Sequence, residues 1–122
     1  MKPNTQIGSI QNFEEALSQL DSKYDKVYVL VDEKTKEHCL PVLFQNLNFF
    51  SDAEIIEIES GEESKSIELC YQIWGMMLET GATRNSLLVN LGGGVICDLG
   101  GFIASTFKRG IDFINIPTTL LA

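Results

Sequence analysis

Val27-Tyr28-Val29-Leu30-Val31 is an unbroken apolar run, rich in β-branched residues and flanked on both sides by helical patterns. A strand with no polar alternation has no face to give to water. It belongs inside a parallel sheet covered by helices on both sides. Three further runs are strand candidates: Ala53 to Ile58, Ser86 to Leu91, and Ile111 to Ile116. Between them lie helix signals. Asn12 and Glu15 have capping-box spacing ahead of Phe13, Ala16, Leu17 and Leu20. Thr35 to Leu47 is helical in pattern but is interrupted by Pro41. The turn Ser60–Lys65 leads into a helix carrying Ile67, Cys70, Tyr71, Trp74, Met77 and Leu78, read as one buried stripe, with Gly81 as its C-terminal cap. A last helix runs from the glycines to about Lys108. Strands alternating with helices predict an α/β fold: a Rossmann-like, mostly parallel sheet with flanking helices and right-handed crossovers.

At 122 residues the chain has the size of one domain, read as residues 1–122. Nine basic against seventeen acidic residues leave a net charge of −8, which argues against nucleic acid or a membrane surface as partner. No apolar run approaches the roughly 20 residues needed to span a bilayer, and the N-terminus lacks a signal-peptide stretch. Cys39, Cys70 and Cys97 form no CxxC pair, which suits reduced thiols and a cytoplasmic chain. The sequence stops in the apolar run Ile116 to Ala122 and is read as the front part of a longer protein.

The strongest chemical signal is Leu91-Gly92-Gly93-Gly94-Val95-Ile96-Cys97-Asp98. Glycines between a buried strand and a helix let the backbone approach a phosphate, which the helix N-terminus then attracts. The dinucleotide pattern G-x-G-x-x-G breaks at Cys97, and no Gly-Lys-Ser/Thr follows. A turn serving only chain reversal stands beside the pyrophosphate reading. Asp98 is placed to bond a ribose or nicotinamide group, or merely to favour the helix start. Asp32 ends a strand where ligands of open α/β sheets bind, although from its neighbours alone an ordinary loop-initiating aspartate is the better reading. Glu62 and Lys65 have the spacing of an intrahelical ion pair. Lys108-Arg109 offers a phosphate-binding fork or a solvated helix end. Thr118 and Thr119 offer hydroxyls or a cap. His38 has no companion ligands for a metal, and Cys97, Trp74 and Met77 read as packing residues.

Taken together, the stretches Arg84 to Ser105 and Phe107 to Ala122, with the Gly61-Glu62-x-x-Lys65 step, closely resemble the 3-dehydroquinate synthase family. The resemblance is dense from Gly61 onward and thin before it. It implies a shikimate-pathway lyase that converts 3-deoxy-D-arabino-heptulosonate 7-phosphate to 3-dehydroquinate and phosphate, using NAD and a divalent metal, zinc or cobalt. It further implies NAD contacts at Asp32, Gly61, Glu62, Lys65, Gly93, Gly94, Val95, Asp98, Thr118 and Thr119. Arg109 matches a substrate-binding arginine that reaches across a homodimer interface. Cys97 stands where the family usually has glycine. The metal ligands and substrate lysines of the family fall in a helical C-terminal domain absent from this chain, so the isolated chain is expected to be inactive. Sister cyclases making 2-deoxy-scyllo-inosose or valiolone-type rings share the loop. Metal-dependent alcohol or glycerol dehydrogenases fit less well, because Val95 and Gly101 replace their Ser and Lys. A stand-alone nucleotide-binding module is the reading from another class.

Overall fold

A computed structural model describes residues 4–6, 24–46, 52–60 and 66–118. The helix expected around Asn12 to Leu20 lies outside these residues, as do Gly61, Glu62, Lys65 and Thr119. Five strands form one parallel sheet: β1 (Asn4–Gln6), β2 (Lys26–Asp32), β3 (Glu54–Ile58), β4 (Ser86–Leu91) and β5 (Asp112–Ile116), in the order β1-β5-β4-β2-β3. The four runs read from the sequence are four of these strands, and the short β1 is added at the β5 edge. Its three residues have too little pattern to be read in advance.

The all-apolar strands are two-faced, as their composition requires. Val29, Val31, Leu87, Val89, Leu91, Ile114 and Ile116 point to one side and pack against Cys39, Leu40 and Leu43. Tyr28, Leu30, Ile56, Leu88 and Ile111 point to the other and pack against Cys70, Ile73, Met77, Ile96, Leu99 and Ile103. The first layer comes from α1 (Glu33–His38) and α2 (Leu40–Asn46); the second from α3 (Ile67–Glu79) and α4 (Gly94–Thr106). Pro41 falls in the first turn of α2, where a proline N–H is not needed, and the chain breaks at Cys39 immediately before it.

The stripe read on α3 is corrected in part. Cys70, Ile73 and Met77 are buried, but Ile67, Tyr71 and Leu78 are 66%, 69% and 55% exposed. At about 100° per residue, those three lie roughly 60–100° round the helix from Cys70, whereas Ile73 and Met77 turn the other way. Trp74 lies between the two sets and is half-buried, its ring 6.2 Å from that of Phe102 on α4. The helix carries more apolar surface than one stripe can bury. Gly81, at φ +94°, closes α3 in the left-handed conformation expected of a cap, with its N–H on the Leu78 carbonyl and that of Ala82 on Met77.

Candidate functional site

The helix after β2 goes to one face of the sheet and the helix after β4 to the other. β2 and β4 are neighbours, paired Leu30 with Asn90, so Asp32 and Gly92 leave the sheet side by side. A crevice opens at such a point of reversal, at the carboxyl edge of the strands, and ligands of open α/β sheets settle there.

The glycine turn is divided by function. Gly92 is buried, its N–H bonds the Ile116 carbonyl, and a Cβ there would lie 2.8 Å from the Ile96 side chain. Gly92 therefore serves packing. Gly93 and Gly94 are exposed, and a Cβ on either would meet nothing within 4 Å. Gly93 is the N-cap of α4 and supplies no side-chain hydrogen bond. The N–H groups of the first turn, from Gly94 to Ile96, consequently have no side-chain cap among the described residues. That is a ready anion site: unsatisfied donors, a positive helix end and room for close approach.

The other residues named from the sequence are arranged unevenly around this centre. Asp32 has its carboxylate engaged as the N-cap of α1, accepting from the N–H groups of Lys34 (2.9 Å) and Thr35 (2.8 Å) in a capping box. Asp32 therefore starts no loop: β2 passes directly into α1, with Asp32 as the cap at the carboxyl edge of the sheet. Val95 is exposed beside the glycines. Asp98 is exposed on α4 and, with Cys70, Leu99 and Phe102, lines a cleft of about 300 Å³ between α3 and α4. Thr118 is half-buried just beyond Pro117, at the carboxyl edge after β5. Cys97 is half-buried with its thiol on the Gly92 carbonyl, 3.7 Å away. Burial, and then the neighbouring Asp98, push that thiol's pKa up, which fits a packing residue and not a nucleophile.

Arg109 is not part of this centre. It follows α4 in a short 3₁₀ turn (Phe107–Arg109) at the amino edge of the sheet, the whole length of a 13-residue helix, or about 20 Å, from the glycines. Lys108 and Arg109 adopt φ of +46° and +70°, a left-handed pair that non-glycine residues rarely accept. Among the described residues no three His, Cys, Asp or Glu side chains converge to hold a metal ion.

Two features escaped the sequence reading. Glu33, directly after Asp32, accepts hydrogen bonds from the Ser60 hydroxyl and the Ser60 N–H (2.9 Å). Those donors hold its carboxyl below the usual range and tie the end of β2 to the segment leading into Gly61. Beside that segment, Glu57, Glu59, Ser66, Glu68 and Gln72 border an open acidic hollow of about 390 Å³. The second feature is an asparagine pair, the fully buried Asn90 on β4 and the half-buried Asn115 on β5. An asparagine inside an otherwise apolar strand was the one available signal for it.

A parallel sheet whose glycine turn presents an uncapped helix end at its point of reversal defines the class of nucleotide-binding α/β domains. Comparisons with known proteins narrow that class. The family model for the N-terminal part of 3-dehydroquinate synthase matches residues 55–122. The 3-dehydroquinate synthase of Parabacteroides distasonis is 53% identical over 82% of this chain, and that of Clostridium botulinum 46% identical over 82%. Among solved structures, 2-deoxy-scyllo-inosose synthase aligns over 86% of the chain with a TM-score of 0.73 at 23% identity. The same enzyme has been solved with carbaglucose-6-phosphate, NAD+ and Co2+. This chain belongs to the 3-dehydroquinate synthase family and corresponds to its N-terminal, Rossmann-like part. It spans 28–29% of the length of the two curated relatives.

Proposed function

We propose that this chain is the NAD-binding part of an enzyme converting 3-deoxy-D-arabino-heptulosonate 7-phosphate to 3-dehydroquinate and phosphate, in the shikimate pathway leading to chorismate and the aromatic amino acids. The observation that carries the reading is the uncapped N-terminus of α4, with Gly93 and Gly94 open at the point of reversal. These residues fit a dinucleotide pyrophosphate by donor chemistry and by the space left for it. Bound there, NAD supplies reversible hydride acceptance at a substrate hydroxyl, which acidifies the adjacent C–H and lets phosphate depart.

The chain's own residues have simpler tasks. The N–H groups of Gly94 and Val95 hold the pyrophosphate, and Gly93 lets it approach. Asp32 marks the β2 side of the crevice and Thr118 the carboxyl edge after β5; Asp98 on α4, together with Gly61, Glu62, Lys65 and Thr119, completes the proposed set of NAD contacts. Arg109, at the opposite end of α4 from the glycine turn, takes the sugar-phosphate substrate of a second subunit in a homodimer, as the family resemblance implies. Zinc or cobalt belongs with the helical remainder of the protein. A cytoplasmic location and an absence of nucleic-acid or membrane partners fit the net charge of −8, and no helix among the described residues is long and apolar enough to cross a membrane. The identity of 53% to a named synthase, against 23% to the cyclase structure, favours dehydroquinate over a sister ring product.

Calorimetric titration of the chain with NAD+, alongside a phosphate-release assay with substrate, NAD+ and zinc, tests the reading. Saturable binding without turnover is expected. Absence of binding contradicts the cofactor role, and turnover by highly purified chain contradicts the assignment of the remaining chemistry elsewhere.

A further inference from the structure

We infer that the face shared by α3 and α4 is an interface between two copies of this chain, which lie antiparallel so that each sets its Arg109 beside Asp98 of the other. The inference deepens the homodimer reading above and rests on it. Ile67, Tyr71 and Leu78 on α3 are mostly exposed, Trp74 is half-buried, and Phe102 on α4 is 47% exposed. The Trp74 and Phe102 rings, 6.2 Å apart, join the two helices into one apolar face. The cleft lined by Cys70, Asp98, Leu99 and Phe102 opens within it. Apolar side chains gathered in this way mark a contact surface.

Spacing and charge name the occupant as a second copy. Ile67, Tyr71, Trp74 and Leu78 follow one another at steps of 4, 3 and 4, a pattern that reads the same in both directions. Laid antiparallel on its copy about a two-fold axis across its middle, α3 sets Ile67 against Leu78 and Tyr71 against Trp74. Each apolar side chain then meets another. Both α3 and α4 return from the carboxyl to the amino edge between parallel strands, so they run the same way. Trp74 and Phe102 lie near the middles of these 13-residue helices, which their contact keeps level. The same axis therefore pairs α4 with its copy. On α4 the exposed Asp98, Phe102, Ser105 and Arg109 repeat the steps of 4, 3 and 4. Phe102 meets Ser105, whose hydroxyl already donates to the Gly101 carbonyl at 2.7 Å and is covered without losing a bond. Arg109, just past the helix end, comes level with Asp98. A parallel arrangement would instead bring like charges level, so charge selects the antiparallel one. Glu68 and Glu79 lie to the outer side of the α3 seam, at a rim where water and salt screen them. The pairing also accounts for the distance of Arg109 from its own glycine turn. In the second copy it arrives beside Asp98, about 6 Å along the helix from Gly94, at the mouth of that copy's crevice.

Sedimentation equilibrium of the purified chain over a concentration series, native and variant, tests the interface. The native chain is expected to dimerise. Tyr71→Glu charges a side chain already exposed in the single copy, so it is expected to keep the native circular dichroism and to weaken dimerisation at least about tenfold. Asp98→Arg and Arg109→Asp are each expected to weaken it about tenfold, and the double exchange Asp98→Arg with Arg109→Asp to restore it. A dimer unaffected by Tyr71→Glu, or single exchanges that the double does not rescue, overturns this interface and leaves the homodimer reading standing. A native chain that is monomeric at every concentration overturns both.

Discussion

Gly100→Ala is the substitution that most directly probes how α4 is seated on the sheet. The added Cβ would sit 1.7 Å from Asn90 Oδ1, 2.2 Å from its Cγ and 2.5 Å from its Nδ2, whereas ordinary contact starts near 3.4 Å. Asn90 is fully buried, so it has nowhere to rotate, and α4 must lift from β4. Overpacking of this kind costs about 1–3 kcal/mol, and a backbone-anchored methyl against an enclosed amide belongs at the upper end. Losing the Asn90–Asn115 bond adds about 1 kcal/mol, and alanine's helix preference returns about the same amount. The net expectation is roughly 3 kcal/mol of destabilisation. Asn90→Ala alone costs about 2 kcal/mol, through the lost bond and the space left behind. In the Asn90→Ala background, Gly100→Ala should cost nearly nothing, since the new methyl occupies the vacated volume. Urea unfolding followed by the single Trp74, which packs between α3 and α4, reads all four corners of the cycle. A Gly100→Ala cost below about 0.5 kcal/mol, or an equal cost in both backgrounds, refutes the steric reasoning.

Gly93→Asp separates binding from stability. Gly93 has φ −83° and open space around it, and aspartate is a favoured N-cap, so stability should rise by up to about 1 kcal/mol while NAD+ affinity falls more than about tenfold through charge repulsion; weaker stability with intact binding would contradict both halves. On α3, Met77→Ala should cost about 2–5 kcal/mol and Leu78→Ala less than about 1, because the first side chain is fully buried and the second 55% exposed; equal costs in urea unfolding would overturn the helix orientation. Glu33 has its folded pKa lowered by Ser60, so its stabilising effect is present above its unfolded pKa and is lost as pH falls through the lowered folded value. Ser60→Ala should therefore flatten the fall in melting temperature on acidification below about pH 5, and an unchanged acid limb would show that the bond does not form in solution.

The architecture was legible because burial leaves a plain record. Strands covered on both faces are dominated by apolar residues, and β2, β4 and β5 carry that pattern in Val27–Val31, in Leu87–Val89 with Leu91, and in Ile111, Phe113, Ile114 and Ile116. The position of the glycine turn was legible for a related reason, since three consecutive glycines after such a strand mark where the chain turns into the next helix. The orientation of α3 was not legible: Ile67, Tyr71 and Leu78 have the same spacing and polarity as core residues, and only the sheet decides which side is covered. Asp32 shows the reverse case, a residue whose position marks the crevice while its carboxylate is occupied by the backbone of α1. The Asn90–Asn115–Gly100 contact joins three separate elements, and no local pattern encodes the 1.7 Å approach that makes Gly100 necessary. Arg109 is conspicuous in sequence, yet its distance from the glycine turn depends on α4 running back along the sheet.

Backbone-amide mapping of the ¹⁵N-labelled chain during NAD+ titration addresses the cofactor site most directly. If the uncapped end of α4 holds the pyrophosphate, the amides of Gly93, Gly94 and Val95 shift together and saturably, with those of the amino edge near Arg109 unmoved. Saturable binding that leaves these three amides unchanged, or shifts centred on the amino edge, contradicts it.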